Sequence, residues 1–221
     1  MKKYLFEFIT IVLSITAAFS LDLWRDQMNE KEETQKALTY IKLDLQKDTS
    51  LYNYRLQLIE RNTSFLEIGM IDQTPSIDDF KKIHKGLRAA VEYKVFDYGY
   101  KYLTNNIAKP IVKNDTLLMW IGYYYSLSGP EGNYGRYNAD YWRLTGTNYE
   151  KLFEIFPNFF NPDTTLANNE IMANIESFRS SKYWQGRIRY THRENRDLIT
   201  AIFKKNRKFA EDILRILEEE F

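Results

Sequence analysis

Asp44 and Asp48 stand one helical turn apart in a stretch whose apolar residues recur every three to four positions, so both carboxylates share a helix face. Such a pair can move protons, hold a cation or meet guanidinium groups, and the partners decide which. The nearest match in charge lies far down the chain, where Arg179 to Lys208 contains ten Lys and Arg against only Glu194 and Asp197. That run could take a polyanion such as lipid headgroups, an envelope polymer or nucleic acid. It could also answer the first helix, where Asp22 to Asp48 holds seven acids against five bases. The second arrangement is the expectation, with Asp44 or Asp48 paired to Arg193 or Arg196 across two antiparallel helices.

Catalysis has little to stand on. The chain has no cysteine, so disulfides, thiolate ligands and cysteine nucleophiles are excluded. His84 and His192 each sit in a basic run and read as surface residues, and two histidines cannot build a multi-histidine metal site. Asp22 and Asp26 repeat the spacing of Asp44 and Asp48, which any charged helix generates. No HExxH, GxSxG, P-loop or EF-hand pattern occurs. The expectation is therefore a non-enzymatic protein with no catalytic residues, no cofactor and no metal. A net charge of +1 exerts no global pull on nucleic acid, which is not an expected partner.

Seven tyrosines lie between Trp120 and Glu150, interleaved with Asn and Gly. Rigid amphipathic rings bind at low entropic cost, so Tyr134, Tyr137, Tyr141 and Trp142 are the candidate partner surface. The same composition also describes an aromatic subcore beneath a long loop.

These groups must be positioned by helices, because the periodicity throughout is close to that of an α-helix. Tyr4 to Trp24 spans about 31 Å as a helix, one hydrocarbon thickness, and Glu7 is its only charge before Asp22. The expected organisation is a transmembrane anchor over residues 1–24 and a soluble helical-bundle domain over 25–221. Lys3, Glu7 and Trp24 would mark the membrane interfaces, with Lys3 one turn from Glu7 for pairing. Thr10, Ser14 and Ala18 form a small-residue stripe along which two membrane helices could approach closely. A cleaved signal peptide is the rival reading, since Lys2 and Lys3 precede the apolar run and Ala18-Phe19-Ser20 resembles a cleavage site. Glu7 within the run and an unbroken helical pattern through the cut favour an anchor, its basic leader inside and the bulk outside.

The first helix should continue to about Ile68, and Gly69 with the Asp72–Pro75 turn should end it. Its soluble stripe of Leu38, Ile41, Leu45, Tyr52, Ile59 and Leu66 is interrupted by Asp48. Ser76 and Asp79 predict a capping box, and Asn114 or Asp115 a cap for a helix over 116–127. Short helices are expected over 136–144 and 149–156, and another over 166–178. A last helix over 182–219 carries the seam Trp184, Ile188, Leu198, Ile202, Phe209, Ile213 and Ile216. The fold class is thus all-α, an N-terminal transmembrane helix continuing into an elongated antiparallel helical bundle.

The run Glu7 to Trp24 resembles the opening of a family of uncharacterised single-pass inner-membrane proteins of Gram-negative bacteria. Glu7, Ala18 and Trp24 match that frame, while Ser14 replaces a usual Gly and Asp22 a usual Asn. Leu43-Asp44-Leu45 with Asp48 is similar to a further element of the family, as is Tyr102-Leu103 through Ile111, Asn114, Leu117 and Tyr123-Tyr124. The resemblance implies an inner-membrane address with the bulk of the chain in the periplasm, and no activity. The function expected is a membrane-anchored interaction or scaffold subunit contacting membrane lipid and a protein partner, either another copy or an envelope complex. The alternative is a periplasmic ligand-sensing domain that signals through a membrane partner; a buried pocket lined by the tyrosines would favour it.

Overall fold

The computed structural model describes residues 2–71, 73–88, 93–127, 133–155 and 168–221, and helices form nearly all of it. Helix α1 (Lys2–Ile68) runs about 100 Å without a break, because its sequence holds neither Gly nor Pro. It ends where Gly69 N–H bonds Leu66 O at 3.0 Å and the chain turns. The remaining elements are α2 (Ile77–Arg88), α3 (Tyr98–Asn106), α4 (Asp115–Ser126), α5 (Asn133–Ile155), α6 (Asn168–Ser180), α7 (Lys182–Arg193) and α8 (Thr200–Glu220). A π-helical turn, Glu194–Ile199, joins α7 to α8. The all-α, antiparallel bundle expected from the periodicity is the observed architecture.

Capping chemistry sets two of the helix starts. Ser76 Oγ accepts from Asp79 N–H at 3.1 Å and donates to the Asp79 carboxylate at 2.9 Å, the reciprocal box predicted for α2. Asn114 Oδ1 accepts from Thr116 N–H at 3.0 Å at the start of α4. The two short helices expected over 136–144 and 149–156 are instead one helix, α5. Gly146 stands in open space there and no proline intervenes, so the chain continues through it.

The core sits in two apolar clusters strung along α1. The lower one joins Leu38, Ile41, Leu45, Tyr52 and Ile59 to Leu117, Ile121, Phe203, Ala210, Ile213 and Leu217. The upper one gathers Leu66, Phe80, Ile83, Phe178, Trp184 and Ile188. Burying each such side chain contributes about 1.5–3 kcal/mol, so α1 supplies the spine on which every layer closes.

The C-terminal helical stretch departs from its predicted seam in an informative way. Of the predicted seam, Ile213 is fully buried as expected. Elsewhere from the π turn onward the fully buried apolar residues are Ile199, Phe203, Ala210 and Leu217, each one position later than Leu198, Ile202, Phe209 and Ile216, the residues that unbroken α-helical spacing nominates. Thr200 N–H and Oγ1 both reach Asn195 O, and this wider turn accommodates the extra residue.

The antiparallel register also differs from expectation. Glu67 meets His192, Asn53 meets Arg207 at 2.8 Å, and Lys42 Nζ lies 5.8 Å above the Phe221 ring. The C-terminal helix therefore ends level with Lys42, about 27 Å along α1 from Trp24, rather than at a membrane surface near Trp24.

Gly99 marks the tightest approach of two elements. A Cβ on it would lie 2.3 Å from the Ile41 backbone nitrogen, so no other residue lets α3 lie against α1. The variant Gly99→Ala is expected to lose about 3 kcal/mol in urea unfolding. Gly122→Ala, with open space around it, should instead gain about 0.5–1 kcal/mol from helix propensity. Equal stability of the two variants would contradict this packing.

Candidate functional site: a buried carboxylate and phenol network on α1

Asp44 and Asp48 face into the bundle, and Asp48 is 0% exposed. Their partners are backbone amides of the segment that leads into α3. Gly99 N–H donates to Asp44 Oδ2 at 2.7 Å, and Phe96 N–H donates to Asp48 Oδ1 at 2.9 Å. Phe96 precedes α3 outside regular secondary structure and Gly99 lies in its first turn, so neither amide has a helical acceptor, and two carboxylates one turn apart supply it.

A chain of phenols continues from the second oxygen of Asp48. Tyr124 hydroxyl donates to Asp48 Oδ2 at 2.9 Å, and the Tyr52 hydroxyl stands 2.9 Å from those of both Tyr124 and Tyr93. With Tyr124 committed to the carboxylate, Tyr52 donates to Tyr124 and Tyr93 to Tyr52. Asn138 on α5 closes the far end, accepting from Tyr93 N–H at 2.8 Å and donating to Tyr93 O at 2.6 Å. One network thus ties α1, the 93–97 segment, α4 and α5 together.

Burial dominates the electrostatics. Loss of water pushes the Asp48 carboxyl up to about 7, opposed by the Phe96 amide and the Tyr124 hydroxyl and reinforced by nearby Asp44. The same desolvation drives the Tyr52, Tyr124 and Tyr125 phenols well above the ordinary tyrosine range, so all remain protonated.

This arrangement replaces the predicted ion pairs. Arg196 bonds its neighbour Asp197 at 2.8 Å in the exposed surface, and Arg193 stacks over Tyr190, while Asp44 and Asp48 take backbone and phenolic donors. The reason is the register: with Phe221 beside Lys42, Arg193 and Arg196 lie level with Glu67 and not with Asp48. The histidines are corrected too. His84 and His192 are both buried, and His192 Nε2 lies 3.2 Å from Glu67 Oε1.

The tyrosine-rich region divides. Tyr124 and Tyr125 are core residues, whereas Trp142 is exposed. The side chains of Tyr134, Tyr137 and Tyr141 lie outside the described residues. Tyr52, Tyr93 and Tyr124 bond one another rather than line an open space.

A second latch was not anticipated. Glu220 is buried and accepts from Lys113 N–H and Asn114 N–H, both at 2.8 Å, while Thr34 Oγ1 accepts from Ile111 N–H at 3.1 Å. The connection between α3 and α4 is thereby held from both α1 and the end of α8. Glu220 falls on the seam of Ile213 and Leu217, and that spacing is the signal which distinguishes it from Glu218 and Glu219.

On the other side α1 is bare. Among the described residues one helix, α1, is long and apolar enough over its first part to cross a membrane, and its residues from Phe6 to Trp24 are all exposed. Glu7 and Trp24 are exposed; the Lys3 side chain lies outside the described residues. Thr10 and Ser14 hydroxyls donate to the carbonyls of Phe6 at 2.9 Å and Thr10 at 2.8 Å, leaving a small, self-satisfied surface. Ala37, Ile41 and Leu45 follow Thr10, Ser14 and Ala18 by about seven and a half turns, and all three are in the core. Gln46, Ser50 and Tyr54 follow the same three residues by about ten full turns, and they line an open groove of about 540 Å3 with Leu43, Leu51 and Phe96. The small-residue stripe therefore points away from the bundle and along the groove.

Comparison with protein-family models, curated proteins and solved structures found no match. Among the described residues no cluster of His, Asp and Glu is arranged to hold a metal ion.

Removing the network carboxylate tests its structural role. Asp48→Ala strands the Phe96 amide and the Tyr124 hydroxyl in the core and is expected to cost about 2–4 kcal/mol at pH 6. Tyr52→Phe, which breaks only the phenol chain, should cost about 1 kcal/mol. A loss below about 0.5 kcal/mol for Asp48→Ala in urea titrations would contradict the assigned partners.

Proposed function

We propose that the chain is a non-enzymatic interaction subunit, held in the inner membrane by the first part of α1 with its helical body in the periplasm. The carrying observation is the bare side of α1. An apolar stretch exposed on every side requires a cover, and lipid is the cover that a span of about 30 Å fits. Above it, residues 25–29 form an exposed helix. Glu30 and Glu33 are half-buried, Glu33 accepts from the Tyr102 hydroxyl of α3, and the first fully buried residue is Thr34, about 15 Å beyond Trp24. A body raised on such a stalk leaves the outer face of α1 accessible from the membrane upward.

That face is where a protein partner would sit, whether another copy of the chain or a component of an envelope complex. Leu43, Tyr54 and Phe96 each expose large apolar surface around the groove, and Lys47 lies 5.5 Å over the Phe96 ring. Exposed aromatic rings are enriched at interaction surfaces. The stripe of Thr10, Ser14 and Ala18 shares the same azimuth, so a partner meeting the membrane helix there would not collide with the bundle. The resemblance of Glu7 to Trp24 to single-pass inner-membrane proteins supports the same address. Sensing would need a tyrosine-lined cavity, and the buried tyrosines are spent on one another and on Asp48.

A photo-crosslinking amino acid placed at Ala18, Gln46 or Ser50 of the full-length protein in its membrane is expected to yield protein adducts. The same residue at Val12, on the bundle side of α1, or at exposed Gly186 should yield few. Adduct masses from mass spectrometry separate a second copy from another protein. Failure of all three outer-face positions, with a lone monomer recovered in several mild detergents, would refute the reading.

A further inference from the structure

The Asp48 network is built to accept a proton without being dismantled. When Asp48 is ionised, the three phenols all donate towards it, Tyr93 to Tyr52, Tyr52 to Tyr124, and Tyr124 to Oδ2. A proton from solvent placed on Oδ2 reverses this order: the carboxyl donates to Tyr124, Tyr124 to Tyr52 and Tyr52 to Tyr93. Oδ1 keeps the Phe96 amide in both states. Both orders use the same oxygen–oxygen contacts, and the charge difference between the states is one buried carboxylate.

The surroundings do little to neutralise that charge. On α1 itself Asp44 stands one turn below, and Arg55, about two turns above, donates to Lys94 O at 3.1 Å. From the 93–97 segment come the Tyr93 hydroxyl, the Phe96 amide and Asp97, the last paired with Lys101 at 2.8 Å. From α4 come Tyr124 and Tyr125. From α8 the packing residue on Tyr52 is the uncharged Phe203, and the nearby Arg207 is bonded to Asn53 and Glu211. From α5, among the described residues, Asn138 reaches the network at Tyr93.

We propose that Asp48 is a proton-binding site that locks the segment from Tyr93 to Asn106 onto α1 in acid surroundings and loosens it as they turn alkaline. The segment is held to α1 through its amides at Phe96 and Gly99, and the first of these shares its carboxylate with the proton. Phe96 is also one wall of the outer groove, so proton occupancy inside the bundle sets how firmly a wall of a surface outside it is held. The effect stands whether or not a partner occupies that groove.

The direction follows from where the proton is held. An unfolded Asp releases it near pH 4, whereas burial keeps Asp48 protonated up to about pH 7 in the fold. The benefit is complete below about pH 4 and is lost as pH rises towards 7, by up to tenfold in the opening equilibrium per pH unit.

Hydrogen exchange of the full-length protein in vesicles, corrected for intrinsic rates, tests this. Protection of the Phe96 and Gly99 amides is expected to fall about tenfold or more between pH 5 and pH 8, while the upper cluster around Phe80 and Trp184 changes little. Asp48→Asn keeps an acceptor for Phe96 and a donor for Tyr124, and it should remove the pH dependence. Infrared spectra of the wild-type protein give a second, variant-free measure: a protonated carboxyl band present at pH 5 and absent at pH 9, missing from Asp48→Asn. Constant protection across the range, an Asp48→Asn protein that keeps the wild-type pH profile, or no such band at pH 5 would each overturn the proposal.

Discussion

An uninterrupted helix from Lys2 to Ile68 is the constraint on which the other features depend, because a rigid helix carries angular position along its length. Whatever lies on the Ser14 face of the helix lies away from Ile41 and towards Ser50. The buried side of the soluble part, from Thr34 through Leu66, fixes where the bundle sits. The bundle's position in turn fixes which face of the apolar stretch stays open. Two short-range features, an absence of Gly and Pro and a regular apolar stripe, thereby determine a relation between surfaces more than 50 Å apart.

Polar groups give this spine its specificity. Apolar stripes alone would let the 93–106 segment and α4 slide along α1, since dispersion and burial are not directional. Asp44 and Asp48 capture two particular amides, Thr34 captures the Ile111 amide, and Glu220 captures those at the start of α4. Each leaves a donor stranded if the register shifts, which costs about 1–3 kcal/mol apiece. Gly99 adds a steric condition at the same place. The carboxylate that fixes the register most firmly is also the one that carries the heaviest desolvation, so the position that specifies the fold is the one most sensitive to protons.

Much of this was legible beforehand, and the failures have identifiable causes. The all-α class, the long first helix, the stop at Gly69 and the caps at Ser76 and Asn114 follow from local rules that tertiary structure did not override. Asp48 announced itself as a charge inside an apolar stripe, but charge counting assigned it and Asp44 to distant arginines; the amides of Phe96 and Gly99 at the start of α3 take them instead and leave no mark in composition. The seam of α8 came out one residue early at Ile202, Phe209 and Ile216, though not at Ile213, because a π turn has no sequence signature in periodicity alone. Splitting α5 in two gave Gly146 more weight than an exposed glycine carries. His84 and His192 were placed on the surface by their basic neighbours, although helical phase, which puts His192 on the seam of Ile188 and Asn195, was the better guide.

The account stands or falls on α1 being lipid-embedded at one end and the spine of the bundle at the other. A nitroxide scan of every position from Phe6 to Glu60, in the protein reconstituted into vesicles, reads both ends at once through collisions with oxygen and with a water-soluble nickel complex. The expected pattern has oxygen dominating from Phe6 to about Trp24 and nickel reaching all sides of residues 25–29. From Thr34 onward an oscillation of about 3.6 residues should appear, with minima at Ala37, Ile41, Leu45, Asp48 and Tyr52. Water access throughout Phe6 to Trp24, or an oscillation that loses phase across residues 25–33, would contradict the single-rod account.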